Sequence, residues 1–97
     1  MHENYSYPLD EDWNNDEIIT VMALYNAVES AYEHGIKRED FLNKYRSFQQ
    51  VVSMKMEQKR LDHEFETESG YSIYKVFKQC QKTPDNEKVR VQYENKY

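Results

Sequence analysis

The sequence predicts an all-α protein: a compact bundle or orthogonal array of about four helices, preceded by an extended aromatic N-terminal arm. Three observations carry this. Apolar residues recur at spacings of three and four along four successive stretches, which is the period of one helix face. Short connectors separate those stretches, and they hold capping residues together with the only two glycines, Gly35 and Gly70. Val89 and Val91 alternate as a strand would, but no other segment offers a strand to pair with them.

Residues 1–13 read as the arm. Tyr5, Tyr7, Leu9 and Trp13 alternate, Pro8 holds Tyr7 out of helical conformation, and Asp10, Glu11 and Asp12 stay in solvent. Tyr5, Tyr7 and Leu9 are expected to fill a groove between helices, with the anchoring of another protein as the alternative.

The first helix follows from Trp13 to Gly35. Asn14 suits the N-cap, Glu17 can reach back from the third helical position, and Trp13 with Ile18 forms the pair of a hydrophobic staple. Ile18, Val21, Tyr25, Val28 and Tyr32 make the stripe, widened by Met22, Leu24 and Ala31. About twenty residues at 1.5 Å rise give a rod of roughly 30 Å, long enough to organise a small domain.

The second helix, near 38–50, begins at a poorly capped Lys37 with Ile36 and Phe41 as its staple and Glu39 and Asp40 in its first turn. Its stripe is Phe41, Leu42, Tyr45, Phe48 and Val52. Ser53 is the expected N-cap of a third helix, near 54–68, whose apolar face is thin: Met54, Leu61 and Phe65, with Met56 on the flank. Ser69-Gly70 closes it. Ser72 then caps a fourth helix, near 72–81, that buries Ile73, Val76, Phe77 and Cys80. The domain is expected to span 14–82, and residues 83–97 are expected to be a disordered tail.

Charge is unevenly spread. The chain carries a net −5, with eight acids and no Lys or Arg in residues 1–36, and seven bases against three acids in 37–60. Such a chain is not a general nucleic-acid coat, although its middle third can present a local basic patch; the plainer reading is that this segment complements the acidic first helix. One cysteine, Cys80, excludes an internal disulfide and any multi-cysteine metal site, and suits the reducing cytoplasm. No segment reads as a signal peptide or membrane span.

Recognisable chemistry is sparse. Two glycines cannot build a phosphate-cradling loop, so nucleotide binding by a known motif is not expected. His34 suits the negative end of the first helix. His63 with Glu66 or Thr67 lends at most an isolated metal ligand, because the carboxylate and Glu-x-x-His pairs of a di-metal bundle are missing. A nucleophile pair of Cys80 with His34 or His63 is the remaining enzymatic reading, weighed against the place of Cys80 on an apolar stripe, where a thiol is normally inert.

Certain residues nevertheless form a pattern. Tyr5-Ser6-Tyr7-Pro8-Leu9-Asp10 with Trp13, then Val28-Glu29 and Ala31-Tyr32-Glu33 before Gly35, begin it. Tyr45-Arg46 with Phe48, then Lys55, Glu57 and Lys59, and Phe65-Glu66 with Ser69-Gly70-Tyr71 and Tyr74 complete it. In this the chain resembles uncharacterised protein family 0223 of Gram-positive bacteria, from about Tyr5 to Gln79. Ser53 stands where the family has a proline and Gln58 where it has an acid, and the segment after Lys82 lies outside the resemblance. The resemblance implies a small helical domain without assigned activity, so it carries over no functional residue.

The expected function is therefore a non-enzymatic, cytoplasmic protein-protein interaction module, with no cofactor or metal and an unknown protein partner. Its candidate surface comprises Tyr5, Tyr7, Lys55, Lys59 and Arg60, and a homo-oligomer is a further expectation. The alternative is an accessory factor that binds RNA or a ribonucleoprotein through Lys37, Arg38, Lys44, Arg46, Lys55, Lys59 and Arg60.

Overall fold

The computed structural model describes residues 7–92, so the expectations placed on Tyr5 and on residues 93–97 lie outside the described residues. Four helices dominate: α1 (Asn15–Glu33), α2 (Arg38–Val51), α3 (Lys55–Ser69) and α4 (Ile73–Gln81). Two short strands, β1 (Ile36–Lys37) and β2 (Lys88–Val89), pair antiparallel with Ile36 opposite Val89 and Lys37 opposite Lys88. The Cα radius of gyration is 12.9 Å, against ~13 Å for a compact domain of about 100 residues, so no described segment trails away from the body.

Helix α1 is the axis of the core. Val21, Leu24, Tyr25, Val28 and Ala31 are fully buried along it, while Ile18 and Met22 are only half-buried at its edges. Its start is a reciprocal capping box: the Glu17 amide donates to Asn14 Oδ1 and the Asn14 amide donates to Glu17 Oε1, both at 2.9 Å. At its other end Gly35 adopts φ +92°, the left-handed conformation that glycine reaches without a Cβ clash, and its amide reaches back to the Ser30 carbonyl. The chain thereby turns directly into β1.

The arm packs as expected at Tyr7 and differs at Leu9. Tyr7 stacks on Tyr25 at 5.4 Å and approaches Phe65 at 6.2 Å, and its hydroxyl donates to the buried Glu29 carboxylate at 2.9 Å. Tyr25 in turn donates to the Pro8 carbonyl at 2.7 Å, so the two phenols fasten the arm from both sides. Burial raises both phenol pKa values. Leu9 does not enter the groove. It is 44% exposed, because Asp10 caps a turn that carries the chain outward to Trp13, which packs half-buried on the core.

Residues 83–92 correct the expectation of a disordered tail. Val89 is fully buried, Val91 packs against the core, and the Val91 amide donates to the Ala31 carbonyl at 3.1 Å. The strand partner that pattern reading did not find is Ile36–Lys37, which is too short to announce itself and which reads as the staple of α2. The pairing also answers the missing cap of that helix. Lys37 contributes no side-chain cap, and the Arg38 amide instead donates to the Glu87 carbonyl at 3.0 Å. Arg38 completes the clasp, with Nε on the Cys80 carbonyl at the end of α4 and Nη1 on Asp85 at 2.7 Å.

A second correction concerns Ser53. Helix α3 starts one residue later than its hydroxyl requires, so Met54 occupies the N-cap without a side-chain bond and Ser53 caps nothing. The Gln58 side chain stabilises this junction by donating to the Val52 carbonyl at 2.7 Å. Gly70, at φ +83°, ends α3, and Ser72 caps α4 as its position predicts. No helix among the described residues is long and apolar enough to cross a membrane.

Candidate functional site

Helices α2, α3 and α4 converge on a cleft of about 240 Å³. Its floor is aromatic and aliphatic: Tyr45 and Phe48 come from α2, a turn apart, and Ile73, Tyr74 and Phe77 come from the first two turns of α4. Tyr45 organises this floor, with its ring 4.7 Å from Phe77, 5.9 Å from Phe41 and 6.3 Å from Phe48. Burial raises the Tyr45 hydroxyl above its ordinary pKa, with the Asp62 charge adding to the effect, so it is a neutral hydrogen-bonding group at the cleft wall. Tyr74 stands at the mouth, 59% exposed.

The third wall is α3, which presents Lys55, Gln58, Lys59 and Asp62 at one helical line. Asp62 is committed to structure. Its Oδ1 accepts from the Ile73 amide at 2.7 Å, and its Oδ2 accepts from the Tyr74 amide and the Ser72 hydroxyl, both at 3.2 Å. One carboxylate from α3 thus satisfies the start of α4, where the helix dipole favours negative charge. Burial still raises the Asp62 pKa, and those three hydrogen bonds work against the rise.

The lysines have no such commitment. Neither Lys55 nor Lys59 enters an ion pair with a described residue, whereas Arg60, one position on, bridges Glu57 at 2.7 Å and Glu64 at 2.8 Å. Lys78 adds a third cation beside the mouth, its ammonium 5.8 Å over the Tyr74 ring. A protein of net charge −5 therefore places three lysines in or beside one aromatic cleft, against the single carboxylate of Asp62 in its lining.

The predicted site residues consequently separate. Lys55 and Lys59 share the cleft; Arg60 lies on the adjoining face in a local ion-pair network; Tyr7 serves the arm on the far side of α3; Tyr5 lies outside the described residues. The basic residues of the RNA reading also divide. Lys37 belongs to β1, Arg38 is held by Cys80 and Asp85, and Arg46 bonds Asn43. Reasoning from the sequence missed Tyr45, Phe48, Phe77 and Tyr74 as site residues. Their i, i+3 and i, i+4 spacing is a signal for core stripes, and only the convergence of the helices turns part of those stripes into a cleft wall.

Catalytic chemistry finds little here. Cys80 is fully buried, and burial pushes its thiol up to about 11, the direction of an inert group. Among the described residues no group of three or more His, Cys, Asp or Glu is placed to hold a metal ion.

Comparison with known proteins gives a family without an activity. The model of an uncharacterised protein family, UPF0223, matches residues 4–89, and so runs beyond Lys82 through β2. A UPF0223 protein of Bacillus cytotoxicus is 45% identical over 87 residues, covering 90% of this chain and 98% of that protein. One from Staphylococcus saprophyticus is 46% identical over 81 residues, 84% of this chain and 88% of its own length. One from Streptococcus agalactiae is 47% identical over 81 residues, 84% and 87% respectively.

Proposed function

The chain belongs to the uncharacterised protein family UPF0223, and since that name carries no activity, we propose its function from the cleft: a non-enzymatic cytoplasmic module that docks a partner protein between α2, α3 and α4. The carrying observation is the aromatic floor of Tyr45, Phe48 and Phe77 beneath lysines that no described acid neutralises. Interfaces are dominated by a few anchors in pockets of this kind, ringed by polar groups. A volume of about 240 Å³ lies below the ~300–1,000 Å³ of sites that enclose small molecules, and it accommodates one large side chain.

RNA docking on the same lysines is disfavoured by the net charge of −5 and by the engagement of Arg38 and Arg60 in internal pairs, since phosphate binding scales with the number of free cations. The test is photo-cross-linking from position 74. With Tyr74 replaced by benzoylphenylalanine, a nuclease-treated lysate should yield a protein adduct that is absent when the photo-residue replaces Ile19 on α1, and that disappears when Gln49→Trp fills the cleft. Adducts that require intact RNA, or that form equally well from position 19, would refute docking of protein in the cleft.

A further inference from the structure

Resting on the docking reading of this cleft, we infer that its occupant is an acidic segment of the partner that lays one aromatic side chain over the stacked Tyr45 and Phe77 rings. Charge and size both select it. Lys55 and Lys59 line the cleft and Lys78 stands beside it, against a single carboxylate, Asp62, whose oxygens are taken up by Ser72, Ile73 and Tyr74. The net field at the mouth is positive on an otherwise acidic protein, which attracts acidic segments and repels basic ones. The lysine ammonium groups are point charges on flexible stems, suited to carboxylates arriving in several geometries rather than to one planar fork.

The fold already contains one aromatic groove filled by an extended segment, although its border carries Glu29, Glu64 and Glu68 where the cleft has lysines, so it is a precedent for the aromatic anchor alone. On the core face of α3, Tyr25 and Phe65 stack at 4.6 Å, and the extended arm lays Tyr7 over both rings while Pro8 accepts a hydrogen bond from Tyr25. There the occupant is an extended segment anchored through Tyr7 and followed by Asp10, Glu11 and Asp12. In the α2–α3–α4 cleft, Tyr45 and Phe77 stack at 4.7 Å and are only half-buried, and no described segment of the chain covers them. The acidic stretch of a second copy is a competing occupant that the test distinguishes.

The probe is a fluorescein-labelled peptide of alternating Asp and Glu around one central Phe, compared with a peptide in which Lys replaces every acid and one in which Ala replaces the Phe. The acidic Phe peptide should bind, move the amide resonances of Tyr45, Ile73 and Phe77, and weaken as salt rises. Both control peptides, and the Lys55→Glu/Lys59→Glu protein, should bind at least tenfold more weakly. Equal binding of the acidic and basic Phe peptides would overturn the charge selection. Resonance changes confined to the arm side of α3 would overturn the site. Sedimentation of the peptide-free protein completes the test: a monomer is expected, and self-association that the charge reversal abolishes would make a second copy the occupant. Cross-linking from position 74 that survives Lys55→Glu/Lys59→Glu would leave protein docking standing while removing the acidic occupant; loss of all adducts from position 74 would remove the docking reading itself.

Discussion

Replacing Val89 by Ala tests whether the segment after α4 belongs to the folded domain. The Val89 side chain is fully buried where β2 meets β1, and it lies opposite Ile36 beside the end of α1. Deleting two methyl groups from such a site forfeits ~0.8 kcal/mol of transfer free energy for each, and a residual cavity adds to that, for a total of about 2 kcal/mol. In a domain of this length each kcal/mol displaces the melting temperature by roughly 4–8 °C, so Val89→Ala should melt roughly 8–16 °C below the parent. Urea unfolding should show the same loss as a lower midpoint with an unchanged slope. Arg90→Ala, at the exposed neighbour, should leave both unchanged. An unaltered midpoint for Val89→Ala, together with rapid exchange of the Val91 amide that bonds Ala31, would refute the packing of this segment.

Three further outcomes follow from named contacts. Asn14→Ala removes one half of the α1 capping box and should cost ~1 kcal/mol in urea unfolding, with Asn14→Ser recovering most of it. Asp62→Ala strips three hydrogen bonds from the start of α4 and should cost about 1–3 kcal/mol, visible as faster amide exchange at Ile73 and Tyr74. Alkaline pH should unfold the protein. Burial raises the pKa of Tyr7, Tyr25, Tyr32 and Tyr45, so the unfolded chain gives up these protons first; their contribution is fully present below about pH 10 and is lost as the pH climbs through the folded values. Tyrosinate absorbance should therefore lag in the folded protein and rise together with loss of helix, and smooth titration at the free-tyrosine value would refute this.

Helix α1 was fully legible because its signals are local: Asn14 and Glu17 sit three residues apart, the stripe keeps a helical period, and Gly35 supplies the stop. The β1–β2 pair was not, since two residues on each side carry no period and Ile36 satisfied a competing local explanation as a staple. Ser53 misled for a related reason. A good capping residue defines a helix start only if the backbone begins there, and the bond from Gln58 to the Val52 carbonyl anchors a later start. At the site, Lys55, Lys59 and Asp62 were legible as one line on α3, but what each does depends on partners from elsewhere in the fold. Asp62 serves the start of α4, and Glu57 and Glu64 are taken by Arg60, so the lysines remain for the cleft.

This division of charge bears on why the cleft persists. A domain of 97 residues buries a modest share of its surface, and covering the half-buried Tyr45 and Phe77 more fully would add apolar burial at about 25 cal/mol per Å². Two features hold the walls apart. Asp62 fixes the first turn of α4 to α3 through three hydrogen bonds, and Arg38 fixes its last turn to the start of α2 through the Cys80 carbonyl. With both ends of a nine-residue helix tied, it cannot pivot inward to cover the aromatic floor without breaking these part-buried and exposed hydrogen bonds, at about 0.5–1.5 kcal/mol each. The polar ties are stiff and the apolar gain is modest, so the open cleft is the state that the fold enforces. A binding surface held open in advance loses less conformational freedom when its partner arrives.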